Sequence, residues 1–325
     1  VDAEKKINED VFQTVYQVSE ADQDTDPEVT IAILVKDMEH CLPFFLHCIY
    51  NQNYNKKRIH LWIRTNNNKK THSVNILEQW IKMHGDEYAA VVFDKSDVKD
   101  KIERFGLHEW NPERFHVLAR IRDDSVAYAK RKGTDYFVCD VDNFIVPWTL
   151  SDLSRTQLPI CGPLLRRPKS DYSNYHHKTN KHGYMYEPDP SKPGVSDQAY
   201  YTIKDGVVKG FIEVDVIHCT YYIKYEYLRD IDYYEDSVRH EYVVMSDNLR
   251  KKYIPQYLDN SQIYGLVGDP KTENITDLIR EVIAFSIEFK EHECSKHINV
   301  PELFKSVMKY YSILGDDIGK AIKAA

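Results

Sequence analysis

The run Val29-Thr30-Ile31-Ala32-Ile33-Leu34-Val35 constrains the fold more than any other stretch of the chain. It is apolar and rich in β-branched residues, with no polar alternation, so it reads as a strand buried on both faces. Such a strand needs helices above and below it, and the sequence supplies them. Apolar residues at helical spacing (Leu42, Phe45, Leu46, Ile49) predict a helix over 39–52, with Pro43 in its first turn, where proline is tolerated. Further strands are predicted at 59–65 and 89–93, with a helix between them at 73–83. A long helix follows at 112–132, closed by Gly133, and then a strand, Tyr136-Phe137-Val138-Cys139. Strand and helix alternate, which predicts an α/β fold with a Rossmann-like, mostly parallel sheet and helices on both faces. Ligands of such sheets sit beyond the carboxyl ends of the strands.

The second half is less regular. Strand-like runs are read at 158–165 and 211–224, and helices at 241–253, 275–289 and 300–325. Residues 166–197, rich in Tyr, His, Lys, Gly and Pro, read as a long surface excursion. The organisation expected is an acidic amino-terminal segment (1–27), one α/β domain (28–290) and a helical extension (291–325).

Composition narrows the function. A chain of 325 residues with 42% hydrophobic content can bury a sizeable core, and a net charge of −8 argues against a general nucleic-acid binder. No apolar run approaches the roughly 18 residues that cross a bilayer. The first twenty residues hold no signal-peptide core, so a chain from which no leader has been removed is expected in the cytoplasm. Cys41, Cys48, Cys139, Cys161, Cys219 and Cys294 form no Cys-x-x-Cys pair and read as buried free thiols. With 12 glycines and no Gly-rich phosphate loop, a nucleotidyltransferase is disfavoured.

Asp140-Val141-Asp142 is the central feature. An apolar strand ends and two carboxylates follow at i and i+2, where both can reach one hard cation. Such a cation neutralises charge on a departing diphosphate. An Asp-x-Asp alone is also an ordinary surface turn; the strand before it and Asn143 after it favour the site.

An ordered series of short stretches carries a family resemblance over about residues 29–290. They are Ile31-Ala32-Ile33-Leu34 with Glu39-His40 and Leu42-Pro43; Leu61-Trp62 with Thr65; Asp135-Tyr136 through Asp140-Val141-Asp142-Asn143; Tyr172-Ser173-Asn174; His218; and Tyr264-Gly265. In these the chain resembles the amino-terminal half of the procollagen galactosyltransferases and their cerebral adhesion-molecule relative. The resemblance implies a GT-A glycosyltransferase fold with 28–290 as the catalytic domain. It also implies Mn2+, UDP-galactose as donor, and hydroxylysine of a collagen-like protein as acceptor. The endoplasmic reticulum lumen would then be the compartment. A collagen glucosyltransferase using UDP-glucose, and a non-catalytic binding or adhesion module, are the alternatives. A homo-oligomer is left open.

The same resemblance distributes roles. Asp140 and Asp142 hold the metal, with His218 either a third ligand or a core histidine, the latter favoured. Arg122 matches a family arginine and grips the donor; Asp37 and Asn66, by their position after the first two strands where the uridine should lie, and Asn143 after the motif, are the further donor-binding candidates. Arg114 and Arg120 share its helix. Tyr172 and Asn174 contact sugar or acceptor, through a ring face and an amide. The family's transfer inverts the anomeric centre, which needs a carboxylate base. Glu241 is the candidate at a helix start, where the family has an Asp-Asp and this chain has His240-Glu241. Glu235 and Asp236 are the runners-up.

Overall fold

The computed structural model describes residues 26–99, 110–185 and 198–324. The expectations for 1–25, and the 186–197 part of the surface excursion, lie outside the described residues. The strands in chain order are β1 (Val29–Val35), β2 (Ile59–Thr65), β3 (Ala90–Asp94), β4 (Asp135–Cys139), β5 (Asn143–Ile145), β6 (Ile160–Pro163), β7 (Leu165–Arg166), β8 (Tyr175–His176), β9 (Phe211–Val214), β10 (Val216–Ile217), β11 (Thr220–Ile223), β12 (Gln256–Asp259) and β13 (Gly265–Val267). The helices used below are α1 (Leu42–Tyr50), α2 (His72–His84), α3 (Pro112–Lys132), α4 (Thr149–Arg155), α5 (Gln198–Lys204), α6 (Glu241–Lys251) and α7 (Ile275–Glu288).

Among the described residues the main sheet has eight strands in the order β3-β2-β1-β4-β11-β6-β12-β9. The pairs β3–β2, β2–β1, β1–β4 and β6–β12 are parallel, while β11 and β9 run against their neighbours. The mostly parallel sheet is therefore as expected. Its centre is as apolar as the sequence required: Val29, Ile31, Ala32, Ile33, Phe137 and Ile160 are fully buried.

Register fixes the position of the site. Val35 lies beside Thr65, and Ala32 beside Val138, so β1, β2 and β4 end at one edge of the sheet. Thr220 lies opposite Cys139, which brings the start of the antiparallel β11 to that same edge. A three-stranded sheet, β5-β13-β7, continues from there. Its strands follow the Asp140–Asp142 turn, the loop after β12, and β6, in that spatial arrangement.

Several boundaries differ from the sequence reading, each for a local reason. The strand expected at 158–165 breaks at Leu164 because the chain changes sheets there, from β6 to β7. The run at 211–224 is three strands; Asp215 separates the first two, and Cys219, with φ +66°, precedes the third. The helix at 39–52 starts only at Leu42, with Pro43 in its opening turn. The carboxyl-terminal helix is two helices, α8 (Val300–Met308) and α9 (Tyr311–Ala324). Both pack onto the domain: α8 against α1 and α7, and α9 against α7 and α2. Leu303, Val307, Leu314 and Ile318 belong to the same buried cluster as β1. The segments β5, β12, β13, α4 and α5 are too short to show periodicity. Among the described residues no helix is long and apolar enough to cross a membrane.

Candidate functional site

β4 delivers Asp140 to the sheet edge. Its N–H donates to the carbonyl of Cys219 at 2.8 Å, and its carbonyl accepts from the N–H of Asn143 at 2.9 Å, closing a tight turn over 140–143. The turn is pressed against Gly268, beyond β13. A Cβ at residue 268 would stand 2.7 Å from the Asp142 Cβ and 2.8 Å from its carbonyl oxygen. Only glycine allows that approach.

A cleft opens beside this turn. It is walled by Val35 and Asn66 from the strand ends and by Trp110, Arg114 and Arg122 from α3 and its approach, and it ends on Asp140 and Asp142. Arg122 is buried on α3. Its Nη2 donates to Asp140 Oδ1 at 2.9 Å and its Nε to Glu241 Oε1 at 3.2 Å. Its Nη1 is buried with no partner among the described residues. Burial opposes its charge, but Asp140 and, less strongly, Glu241 hold the guanidinium protonated well above its ordinary range.

Asp142 lies deeper in the turn. Burial, and then the neighbouring charge of Asp140, push its pKa up to about 7, with Arg167 pulling the other way. Two carboxylates held in one turn repel, and a divalent cation is the group that relieves the repulsion. The pair therefore fits a hard metal. Among the described residues no three His, Cys, Asp or Glu side chains converge on one metal position. His218 is not grouped with Asp140 and Asp142 in such a cluster. It is 1% exposed, packed among the rings of Tyr172, His176 and Tyr242, with Nδ1 2.9 Å from the Cys219 sulfur. Burial first, and the nearby His176 second, lower its pKa well below normal. That packing is what a core histidine shows, while its Nε2 is buried without a partner among the described residues.

Asn66, Arg122, Asp140 and Asp142 thus share one cleft, and Tyr172 stands nearby, 37% exposed, with its ring 5.7 Å from that of His218. Other expectations need correction. Asn174 does not read a ligand: it is fully buried, its Oδ1 accepts from the N–H of Leu165 at 2.9 Å, and its Nδ2 donates to the Pro163 carbonyl at 2.8 Å. It braces the step from β6 to β7. Asn174→Ala should therefore cost about 1–3 kcal/mol, the range for buried partners left unpaired. Denaturant unfolding measures it, and nucleotide affinity should stay unchanged; a normal melt with weakened donor binding would reverse the assignment.

Asn143 is also fully buried, with Nδ2 on Thr220 Oγ1 at 2.8 Å, so its amide ties β5 to β11 rather than facing the cleft. Asp37, at φ +52°, accepts from the Lys69 N–H at 2.6 Å and pairs with Lys36 Nζ at 3.0 Å. It ties the loop after β1 to the loop after β2, outside the cleft walls. Glu241 sits in the first turn of α6, as expected of a helix-start carboxylate, but it is buried against Arg122. Burial raises its pKa. A base must reach an acceptor hydroxyl; Glu241 instead holds Arg122. Glu235 is engaged by Arg239 at 2.7 Å. The Arg120 guanidinium lies over the ring of Tyr234, 5.2 Å from its centroid.

Three residues in or beside the cleft were missed. Trp110, 49% exposed, precedes the Asn111 cap of α3. The Asn111-Pro112 start signal marked that position. Arg64, near the end of β2, lines the cleft and obeys the strand-end rule that located Asp140; Arg167 follows β7 and reaches the Gly268 carbonyl beside the turn. Of the cysteines, five are buried and Cys219 is partly exposed.

Comparison with known proteins agrees with this architecture. The family described as Glycosyltransferase family 25, N-terminal domain, matches residues 26–285. Human procollagen galactosyltransferase 2 is 26% identical over 307 residues, covering 90% of this chain and 46% of the relative. A mouse protein named inactive glycosyltransferase 25 family member 3 is 28% identical over 200 residues, 61% of this chain and 32% of the relative. The chain thus spans less than half the length of these curated relatives. A solved mannosyltransferase from Pyrobaculum calidifontis, in complex with GDP-Man and Mn2+, superposes with a TM-score of 0.51 at 11% identity, covering 99% of this chain and 83% of that one. The fold is the GT-A glycosyltransferase fold.

Proposed function

The chain belongs to glycosyltransferase family 25, and from that premise we propose that it transfers a hexose from a UDP-sugar, with divalent-metal dependence, to a protein hydroxyl. The observation that carries the reading is the cleft beyond β1, β2 and β4 that ends on Asp140 and Asp142, in a GT-A fold. Galactose as the sugar and a collagen-like acceptor are supported by the procollagen galactosyltransferase relative, which is matched over most of this chain.

Asp140 and Asp142 would hold the metal, in keeping with a pair in which burial first and the Asp140 charge second raise Asp142. When bound, the metal supplies positive charge against the charge that builds on the leaving diphosphate. The chain's own residues do the rest. Arg122 fixes Asp140 and offers its unpartnered Nη1 to the donor. Asn66 lines the nucleoside end of the cleft. The exposed face of Tyr172 covers a sugar ring.

A second reading, a non-catalytic glycosyltransferase-like module, is favoured by one observation: Asp140 already carries a cation, Arg122, and the candidate base is buried behind it. The mouse relative named inactive is in keeping with it. Incubation with UDP-galactose, UDP-glucose and other UDP-sugars in Mn2+, with free UDP as the readout, separates the two. UDP release from UDP-galactose is expected. Tight UDP binding with no release from any donor, with or without a hydroxylysine peptide, would select the module.

A further inference from the structure

We propose that Arg167 is a second phosphate-binding arginine of the site, which engages the terminal phosphate of a nucleoside diphosphate from the side opposite Arg122. This rests on the donor reading given above. The cleft ends on the Asp140–Asp142 turn, so the diphosphate of a donor lying in it must end there too. Arg122 covers the Asp140 side of the turn. The other side is built by Gly268, whose missing side chain brings its backbone against Asp142. Arg167 Nη2 donates to the carbonyl of that same glycine. One residue therefore separates Arg167 from Asp142, and the two strands that place it, β7 and β13, are paired.

The arrangement does more than staple two loops. The Arg167 guanidinium lies over the ring of Tyr172, 4.3 Å from its centroid, which fixes its plane. Its Nε is buried without a partner among the described residues. A guanidinium presents a planar fork of donors, and the backbone carbonyl of Gly268 is neutral. The contact with Gly268 therefore leaves the positive charge unneutralised at that point, with the Glu281 carboxylate within electrostatic range. A phosphate with two or three free oxygens is the anion that a held, planar fork beside a metal-binding turn recognises best.

The test compares UDP with UMP, which lacks the terminal phosphate, by calorimetry on the full chain in Mn2+. Arg167→Gln should weaken UDP about tenfold or more, the range for a charged hydrogen bond, and leave UMP unchanged. Arg167→Lys keeps the charge without the fork and should fall between wild type and the glutamine variant. It carries the test alone if Arg167→Gln does not fold. Equal weakening of UDP and UMP, or UDP affinity unchanged in the variant that folds, overturns the proposal while leaving the donor cleft intact. A wild type that binds neither nucleotide overturns the donor reading itself, and this inference with it.

Discussion

Replacing Arg122 by methionine is expected to destabilise the protein by about 3–5 kcal/mol, the range for removing one partner of a buried ion pair. The Arg122 side chain is 5% exposed and the Glu241 side chain 4%. Without the arginine, Glu241 is a carboxylate with no charge partner in the interior. Removing both partners together, in Arg122→Met/Glu241→Leu, should recover most of the loss, since an apolar pair avoids the desolvation that the ion pair must offset. The pH dependence has a definite sign. Burial raises the folded pKa of Glu241 above its unfolded value, so its contribution is most favourable below the unfolded pKa and is lost as pH rises through the folded one. Loss of Arg122 raises it further, so the single variant should suffer more at pH 8 than at pH 5. Chemical unfolding at both pH values measures this. UDP binding by any folded fraction should weaken by about 1.5–3 kcal/mol, as for a lost charged hydrogen bond. Glu241→Gln keeps an acceptor for Nε and should leave transfer nearly intact; a fall of about 10²-fold or more would restore Glu241 as a base.

Asp142→Asn has the opposite profile: little harm to folding and a large loss of function. Donor turnover should drop by at least about 10²–10³, the effect of removing one charge-stabilising group from an active site. In the metal-free protein the same change should raise the melting temperature at pH 8. The folded pKa of Asp142 is about 7, above its unfolded value, so ionisation in the folded state is unfavourable. Stability from this group is present below about pH 4 and is lost as pH rises through about 7. Asparagine does not ionise, so the two proteins should converge in acid and separate in base. Mn2+ should raise the melt of the wild type and not of the variant. Equal Mn2+ shifts in both would remove Asp142 from the metal set.

What was legible in the sequence follows from the range of each signal. The first four strands and α3 announced themselves through apolar runs, helical spacing over 112–132 and Gly133. The Asp140–Asp142 turn was legible because a buried parallel strand must end at the ligand edge. β5, β7 and β13 were not, because two- and three-residue strands carry no period. The direction of an amide was not legible either. Asn143 and Asn174 sit in family-like motifs, yet both turn inward to Thr220 and to the backbone between β6 and β7. Nor could spacing show that Arg122 bridges residues 18 positions ahead and 119 positions ahead. That bridge replaces a free base with a buried pair, and it is the largest change between the sequence reading and the structure.

The central claim is that the cleft holds a nucleoside diphosphate through a metal on Asp140 and Asp142. Calorimetric titration of UDP into the wild type and Asp142→Asn, each in Mn2+ and in excess chelator, tests it most directly. UDP should bind the wild type in Mn2+ and lose at least about tenfold in chelator, with the variant weak in both. UDP affinity that is the same in all four titrations would contradict it.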